Sequence, residues 1–305
     1  MRSERQLVSL DWAMKKLLRS KANYAILEGF LSELLFDDIT IKEILESEAN
    51  QENQLDKFNR VDIMVTNSKG ELIIIEIQFN SERDYFHRIL YGASKAIVER
   101  MELTEPWSQV KKVISVNIVY FDLGRGEDYI YHGKTEFKGL HAKDHLQLSP
   151  KQRSLFKKNY PEEIFPDYFV IKVNKFDNNA KNTLDQWVYF LKNEEIKESF
   201  NAKGLKEAKK KLSIMKLPKS EQLKYQKYVE ARIHDLSEAE TMKQDIDFAK
   251  KEGIEQGIEQ ERRVQEERRK SDKIETAKKM LLKKFDIETI SELTGLSIKE
   301  IQKLS

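Results

Sequence analysis

The segment NRVDIMVTNSKGELIIIEIQF, residues 59–79, contains two apolar runs on either side of a turn, and each run carries a carboxylate. Both runs are rich in Val and Ile, which is typical of β-strands, and NSKG between them is typical of a turn. Asp62 and Glu76 stand among residues that strands normally bury, where an ionised side chain needs a partner. The segment therefore predicts a β-hairpin whose acidic residues require a compensating charge.

The length of the turn decides whether the two carboxylates face each other. A three-residue connection over 68–70, with Gly70 in the left-handed conformation, places Asp62 directly opposite Glu76. Directly opposed residues share one face of the sheet, with Cβ atoms about 4.5–5.5 Å apart. Gln78 lies on that face too, while the alternating residues form an apolar surface. A two-residue or four-residue connection would instead put the carboxylates on opposite faces.

Two opposed carboxylates repel each other when both are ionised, so they share a proton or hold a cation between them. Their hard oxygens suit Mg²⁺ or Mn²⁺, with water in the remaining positions. Such an ion binds a phosphate oxygen and lowers the pKa of its own water, and Gln78 can hold that water or a phosphate oxygen. The alternative is a solvated pair of acids with nothing bound. Because LIIIEIQF is apolar on both faces, we favour a buried pair with a cation.

Composition limits the remaining classes of function. The chain has 305 residues, of which 39% are hydrophobic and 35% charged, which is enough for one proper core and a large solvated helical part. The net charge of +2 argues neither for nor against nucleic acid. The absence of cysteine excludes disulfides, thiolate metal sites and a cysteine nucleophile. The sequence shows neither a long apolar run nor a signal-peptide pattern, so we expect a soluble cytoplasmic protein without a membrane partner.

Periodicity predicts the order of elements around the hairpin. Helical patterns cover 6–37, 81–101 and 180–235, and strand patterns cover 39–49, 110–121 and 167–176. We expect the helix over 81–101 to begin at Ser81 as N-cap. Its core-facing stripe is predicted to contain Phe86, Leu90, Ala93 and Ile97. Residues 122–165 are predicted to be irregular.

The C-terminal part changes character and divides the chain further. We predict a nuclease-like domain over 1–176, a helical subdomain over 177–236, a charged helix over 237–279 and a small helix-turn-helix-like module over 280–305. The charged helix is either a solvated linker or a short coiled coil that forms a homodimer. In the terminal module, Gly295 supplies the turn and Ser297 the cap. That module either reads DNA or, as we favour, serves packing or oligomerisation.

These motifs together resemble a known family. Asp62, the turn, EIQ at 76–78, and a helix carrying Arg88 and Tyr91 resemble the PD-(D/E)XK nuclease superfamily. More narrowly, the opening DWAMKKLL from Asp11 and the tail EGIEQGIEQ…AKKMLLKKFDIETISELTGLS resemble the Rpn family of recombination-promoting, transposase-like nucleases. The resemblance implies an α/β fold with a restriction-endonuclease-like mixed β-sheet of about four to five strands flanked by helices. An all-helical C-terminal extension follows that core.

The family implies a divalent-metal-dependent DNA endonuclease, with Mg²⁺ or Mn²⁺ as cofactor and DNA as partner. Asp62 and Glu76 would be metal ligands, with the Ile77 carbonyl as a third. Gln78 stands where much of the superfamily has lysine, although glutamine is usual in the Rpn branch. A further helical acid completes many sites of this kind, and the candidates are Asp11, Glu28 and Glu33, of which we favour Asp11. Arg88 and Tyr91 either contact a phosphate or pack the helix on the sheet.

Two other classes of function remain open. The same fold could hold DNA without cutting it, because the glutamine in place of lysine removes a positive charge from the site. The protein could also act purely by interaction through its long charged helix. Nuclease activity is our main prediction, and its residues are Asp62, Glu76, Gln78 and Asp11.

Overall fold

The structure, a computed structural model, describes residues 7–16, 18, 20–45, 62–101 and 105–304. The described residues group into two compact units, one within Met1–Tyr225 and the other within Gln226–Ser305. The finer four-part division of the chain stays a prediction.

One mixed sheet organises the first unit. Its strands are β1 (Ile41–Leu45), β2 (Ile63–Asn67), β3 (Leu72–Gln78), β4 (Val113–Val119), β5 (Ile130–Gly133) and β6 (Asp167–Lys172). The strand order is β1-β2-β3-β4-β6-β5, with β3–β4 and β4–β6 parallel and the other pairs antiparallel. The predicted mixed α/β sheet is therefore confirmed, but it has six described strands instead of the expected four to five, because the short β5 adds an edge strand. β3 and β4 lie at its centre.

The predicted hairpin connection is also confirmed. The Asn67 N–H donates to the Glu71 carbonyl at 3.1 Å, and the Gly70 N–H donates to the Asn67 carbonyl at 3.0 Å. Gly70 has a φ of 78°, the left-handed conformation that glycine adopts without a steric penalty. In the resulting register Ile63 lies opposite Ile75. In the same register, the next pair away from the turn is Asp62 opposite Glu76.

Helices flank this sheet. The first unit contains α1 (Leu10–Lys16), α2 (Tyr24–Leu35), α3 (Tyr85–Val98), α4 (Pro150–Phe156), α5 (Thr183–Asn193), α6 (Leu205–Lys211) and the start of α7 (Lys219–Leu282). α3 packs on the hairpin through small residues, since Ala93 and Ala96 contact Met64, Ile74 and Val113 in one buried cluster. α3 therefore lies over the face of the sheet that carries Glu76.

The predictions for α3 were wrong in its start and in two residues of its buried stripe, whereas Ala93 and Ile97 pack on the sheet as predicted. The helix begins after Asp84, not Ser81, and its sheet-facing residues include Tyr85 and Ile89. Phe86 and Leu90 are instead 55% and 57% exposed. The buried stripe combines Tyr85 and Ile89 with the small residues Ala93 and Ala96, which let the helix approach the strands closely.

The prediction that residues 122–165 are irregular was wrong in part. β5 forms the sheet edge beside β6, and α4 begins at a capping box between Ser149 and Gln152. Both elements are short, and strands or helices of four to seven residues give weak periodic patterns.

The second unit is helical. It contains the rest of α7, followed by α8 (Ile287–Thr294) and α9 (Ile298–Gln302). Gly295, with a φ of 67°, ends α8, and Ser297 caps α9 together with Glu300, as the sequence predicted. Ala277, Ile290, Leu296 and Ile301 form the small buried core of this part. Although α7 has 64 residues, neither it nor any other described helix is apolar enough over a sufficient length to span a membrane.

Candidate active site

Glu76 is the centre of the site because its strand draws it into the core. The strand LIIIEIQ is buried on both faces, and Glu76 is only 6% exposed near the end of β3. Its parallel neighbour on β4 is the buried Asn117. The apolar residues around Glu76 thus determine its burial, and that burial determines its chemistry.

Asp62 lies directly before β2 and is joined to the same end of β3. Its main-chain N–H donates to the Ile75 carbonyl at 3.1 Å. One of its carboxylate oxygens, Oδ2, accepts a hydrogen bond of 2.7 Å from the Ile77 N–H. The negative charge of Asp62 contributes to the raised pKa of Glu76. The structure therefore brings these two predicted carboxylates into one site.

Burial raises the pKa of Glu76 from 4.5 to about 7. The positive charge of Arg88 opposes that shift, while the carboxylates of Asp62 and Glu82 add to it. A carboxyl group with this pKa exchanges its proton near neutral pH. A cation that binds beside it favours the ionised form.

Arg88 supplies the positive charge at the site. Its Nη2 forms an ion pair with Glu76 Oε1, and its Nη1 donates to Glu82 Oε1 at 2.6 Å. From the sequence, Arg88 could contact a phosphate or pack the helix on the sheet. In the structure it instead pairs with the carboxylates of the site. Its suggested companion Tyr91 is exposed.

Glu82 was not predicted from the sequence, and it links the remaining polar groups. Its Oε1 accepts from Arg88 and also from Gln78 Nε2 at 2.8 Å. Gln78 Nε2 additionally lies 3.3 Å from the Asn80 carbonyl oxygen. The sequence signal for Glu82 is its place in the SERD segment, four residues after Gln78. The predicted helix start at Ser81 assigned this segment to the helix and gave Glu82 no role at the site.

Tyr85 is a second residue that the sequence did not reveal. It is fully buried, and its ring centroid lies 5.8 Å from the Arg88 guanidinium carbon. Burial, followed by the charge of Glu76, raises the pKa of its hydroxyl far above the usual range. Within the described residues this hydroxyl has no hydrogen-bond partner. A neutral donor is therefore available beside the carboxylates.

The predicted helical acid, Asp11, belongs to α1. Asp11 is buried in the first turn of α1. The segment before it is bonded to the C-terminal part of the first unit: Val8 donates to Leu212 and Ser9 to the Tyr225 hydroxyl. A role for Asp11 at the site stays a prediction.

The two alternative acids have structural contacts. Glu28 Oε1 accepts from the Ile41 N–H at 2.8 Å, which joins α2 to β1. Glu33 accepts from the Thr183 hydroxyl at 2.5 Å and from the Lys203 N–H at 3.1 Å. These bonds give both carboxylates a role in holding the fold.

The residues at the site fit a hard divalent cation. The carboxylates of Asp62 and Glu82 lie close enough to Glu76 to raise its pKa, and the Arg88 guanidinium pairs with Glu76 and Glu82. Among the described residues, however, only His234, Asp235 and Glu238 on α7 bring three ligand atoms of this kind within 4.8 Å of one another, and all three are exposed. An ion at Glu76 would therefore complete its coordination with water and a main-chain carbonyl, as Mg²⁺ commonly does.

Two family models match the chain. Residues 8–156 match the PD-(D/E)XK nuclease family transposase model, and residues 270–305 match the C-terminal HTH domain of the Rpn/YhgA-like nuclease family. Together they match more than half of the chain, in the order that the sequence motifs predict. The first match contains the hairpin and α3, and thus the whole Glu76 cluster. Neither a curated protein nor a solved structure matches the chain.

Proposed function

Because the chain belongs to the Rpn family of PD-(D/E)XK nuclease-type, transposase-like proteins, we propose that it is a divalent-metal-dependent DNA endonuclease whose centre is Asp62 and Glu76. The observation that carries this proposal is the buried Glu76, whose pKa of about 7 reflects a carboxylate held among other acids in an apolar strand. Burial and the neighbouring carboxylates make the ionised form of Glu76 unfavourable, and a bound cation would stabilise that form.

Each residue has a definite task in this proposal. Asp62 and Glu76 would hold Mg²⁺ or Mn²⁺, with the Ile77 carbonyl as a third ligand. The Ile77 N–H fixes the Asp62 carboxylate in place. The bound ion supplies Lewis acidity and a water of lowered pKa at the scissile phosphate. Gln78, freed from Glu82, orients that water or a phosphate oxygen by hydrogen bond. The Tyr85 hydroxyl, which has no hydrogen-bond partner among the described residues, would donate to the same cluster when substrate is bound.

The match to an HTH domain favours DNA binding by the terminal helical module over the packing or oligomerisation role that we favoured from the sequence. The matched HTH domain contains α8 and α9, whose caps at Asp286 and Ser297 fix the turn geometry. In helix-turn-helix proteins one helix enters the major groove while phosphate contacts set its register. We propose that this module binds DNA and thereby concentrates the substrate at the nuclease site.

A homodimer through α7 completes the proposal. Ile254, Ile258 and Val264 are the large apolar residues exposed on the highly charged segment 250–270 of α7, and pairing two copies would bury them. Light scattering of the purified protein tests this, and we expect a dimer. The paired change Ile254→Glu and Ile258→Glu should yield monomers, and a monomeric unaltered protein would contradict the coiled coil.

Cleavage of supercoiled plasmid tests the enzymatic proposal. We expect nicked or linear product with Mg²⁺ or Mn²⁺ and none with EDTA. Glu76→Gln should abolish the product, while Glu99→Gln, the same chemical change at the exposed end of α3, should leave it unchanged. Equal cleavage by the Glu76→Gln protein, or no cleavage by the unaltered protein with either metal, would contradict the proposal.

A non-cleaving DNA-binding protein of the same fold is the second candidate. Gln78 carries no charge, and the Arg88 guanidinium neutralises part of the acidic cluster. Gel shifts that are unaffected by Asp62→Ala, without cleavage in any metal, would favour this candidate.

A further inference from the structure

Arg88 has an unusual position for a residue of a nuclease site, because its guanidinium contacts the acids that would hold the metal. Nη2 pairs with Glu76 and Nη1 with Glu82, so the guanidinium connects β3 with the turn before α3. The side chain is 26% exposed, so it lies at the boundary between the buried carboxylates and solvent. A cation that binds Glu76 must therefore compete with this guanidinium.

The guanidinium also retains hydrogen-bonding capacity. Arg88 Nε is buried and, among the described residues, has no acceptor. An unsatisfied buried donor costs on the order of 1–3 kcal/mol, so the arrangement is less than optimal for a purely structural ion pair. A guanidinium presents its donors in a fork that matches two oxygens of a phosphate.

We infer that Arg88 is a phosphate-binding residue that Glu76 and Glu82 hold in the metal-free protein and that metal binding releases toward DNA. This inference rests on the proposed function, because it requires Glu76 to be a metal ligand. It assigns to Arg88 the positive charge at the reacting phosphate that Gln78 cannot provide.

Electrostatics supplies the driving force for this exchange. A divalent cation at Glu76 removes the attraction that holds Nη2 and adds repulsion between two positive groups only a few ångströms apart. Arg88 lies in the first turn of α3, where rotation about its side-chain bonds moves the guanidinium without moving the helix. A DNA phosphate then accepts its donors, so substrate and metal bind cooperatively.

Mn²⁺ binding without DNA tests the competition directly. Affinity is measured from the EPR signal of free Mn²⁺, at about pH 8.5 so that protonation of Glu76 contributes little. Arg88→Gln should bind Mn²⁺ about tenfold more tightly than the unaltered protein, because it lacks the competing charge. Arg88→Lys should resemble the unaltered protein. Arg100→Gln, an equal change of charge at the exposed end of α3, should also have no effect.

DNA binding tests the release. Fluorescence anisotropy with a short duplex is measured against salt, once in EDTA and once in Ca²⁺, which occupies oxygen sites while limiting cleavage. In Ca²⁺, Arg88→Gln should weaken binding and lower the salt slope by about 1, as expected for one lost phosphate contact. In EDTA the same variant should bind DNA like the unaltered protein, because Arg88 is then held by the acids.

The outcomes separate this inference from the proposed function. Equal Mn²⁺ affinity of Glu76→Gln and the unaltered protein overturns both. Mn²⁺ binding that requires Glu76 but is unchanged or weakened in Arg88→Gln overturns the role of Arg88 alone. The same holds if Arg88→Gln has equal effects on DNA binding in EDTA and in Ca²⁺. A thermal unfolding curve of each variant, with Arg88→Lys as reference, confirms that the proteins compared are folded.

Discussion

Two buried carboxylates of the first unit have opposite surroundings. Asp185, in the first turn of α5, is 2% exposed and accepts hydrogen bonds from the Tyr129 hydroxyl and, at 2.7 Å, from the Lys181 N–H. Glu76 is 6% exposed, and its neighbours are a guanidinium and further carboxylates. Neutral donors make Asp185 part of the scaffold. The environment of Glu76 raises its pKa, which is common at functional sites, and this supports our proposal that Glu76 binds a cation.

The largest expected effects are a loss of cleavage on substitution of Glu76 and a loss of stability on substitution of Asp185. Glu76→Gln should lower the rate of plasmid cleavage about a thousandfold or more, yet leave the free energy of unfolding unchanged or higher, since it removes a buried charge. Asp185→Asn should lower the free energy of unfolding by about 2–3 kcal/mol, because the amide cannot accept both bonds. Cleavage by the folded Asp185→Asn protein should stay within a few-fold. Urea unfolding and single-turnover cleavage measure the two effects.

The comparison fails if Glu76→Gln and Asp185→Asn change the cleavage rate and the free energy of unfolding in the same way. A strong loss of stability in Glu76→Gln would show that this carboxylate also holds the fold. A loss of cleavage in stable Asp185→Asn would extend the functional region to α5.

The pH dependence of stability sharpens the comparison. Folded Glu76 binds its proton more tightly than unfolded Glu76, with pKa values of about 7 and 4.5. Its contribution to the free energy of unfolding is therefore fully present below pH 4.5 and is lost as the pH rises through about 7. The loss should be on the order of 1–3 kcal/mol.

Urea midpoints measured in EDTA between pH 4 and pH 8, about the range that this transition spans, give the pH effect. The difference between the unaltered protein and Glu76→Gln isolates the one group. A difference that does not change with pH would contradict the raised pKa. Because metal binding requires the ionised carboxylate, Mn²⁺ should at the same time bind more tightly as the pH rises.

The smallest effects should appear in two tyrosines. Tyr129→Phe removes the hydroxyl that donates to Asp185 and should lower the free energy of unfolding by about 1–2 kcal/mol. Tyr85→Phe removes a buried hydroxyl that has no partner among the described residues, so stability should change by less than about 0.5 kcal/mol or rise. Tyr85→Phe should nevertheless slow cleavage about tenfold, because the hydroxyl is proposed to donate to the active cluster. Equal losses of stability in the two variants would show that Tyr85 is also structural.

The hairpin could be predicted because local chemistry determines it. A left-handed glycine closes the three-residue turn, and the alternation of side chains then places Asp62 opposite Glu76. The terminal helices were predictable for the same reason, since Gly295 and Ser297 act on their own neighbours.

The rest of the site could not be predicted because it depends on how α3 packs. Periodicity places Phe86 and Leu90 on the buried stripe with Ala93, whereas the packed helix buries Tyr85, Ile89 and Ala93 and leaves Phe86 and Leu90 exposed. That rotation of the helix directs Tyr85 and Arg88 toward Glu76. Tertiary packing, which a one-dimensional pattern does not contain, therefore determines half of the cluster.

The central claim is that Asp62 and Glu76 together bind a divalent cation. A crystal of the protein grown with Mn²⁺ tests it through anomalous diffraction at the manganese edge. We expect one strong peak bonded to carboxylate oxygens of both residues, with the Arg88 guanidinium displaced from Glu76. Absence of a peak at Glu76, or a peak only at His234, Asp235 and Glu238, would contradict the account.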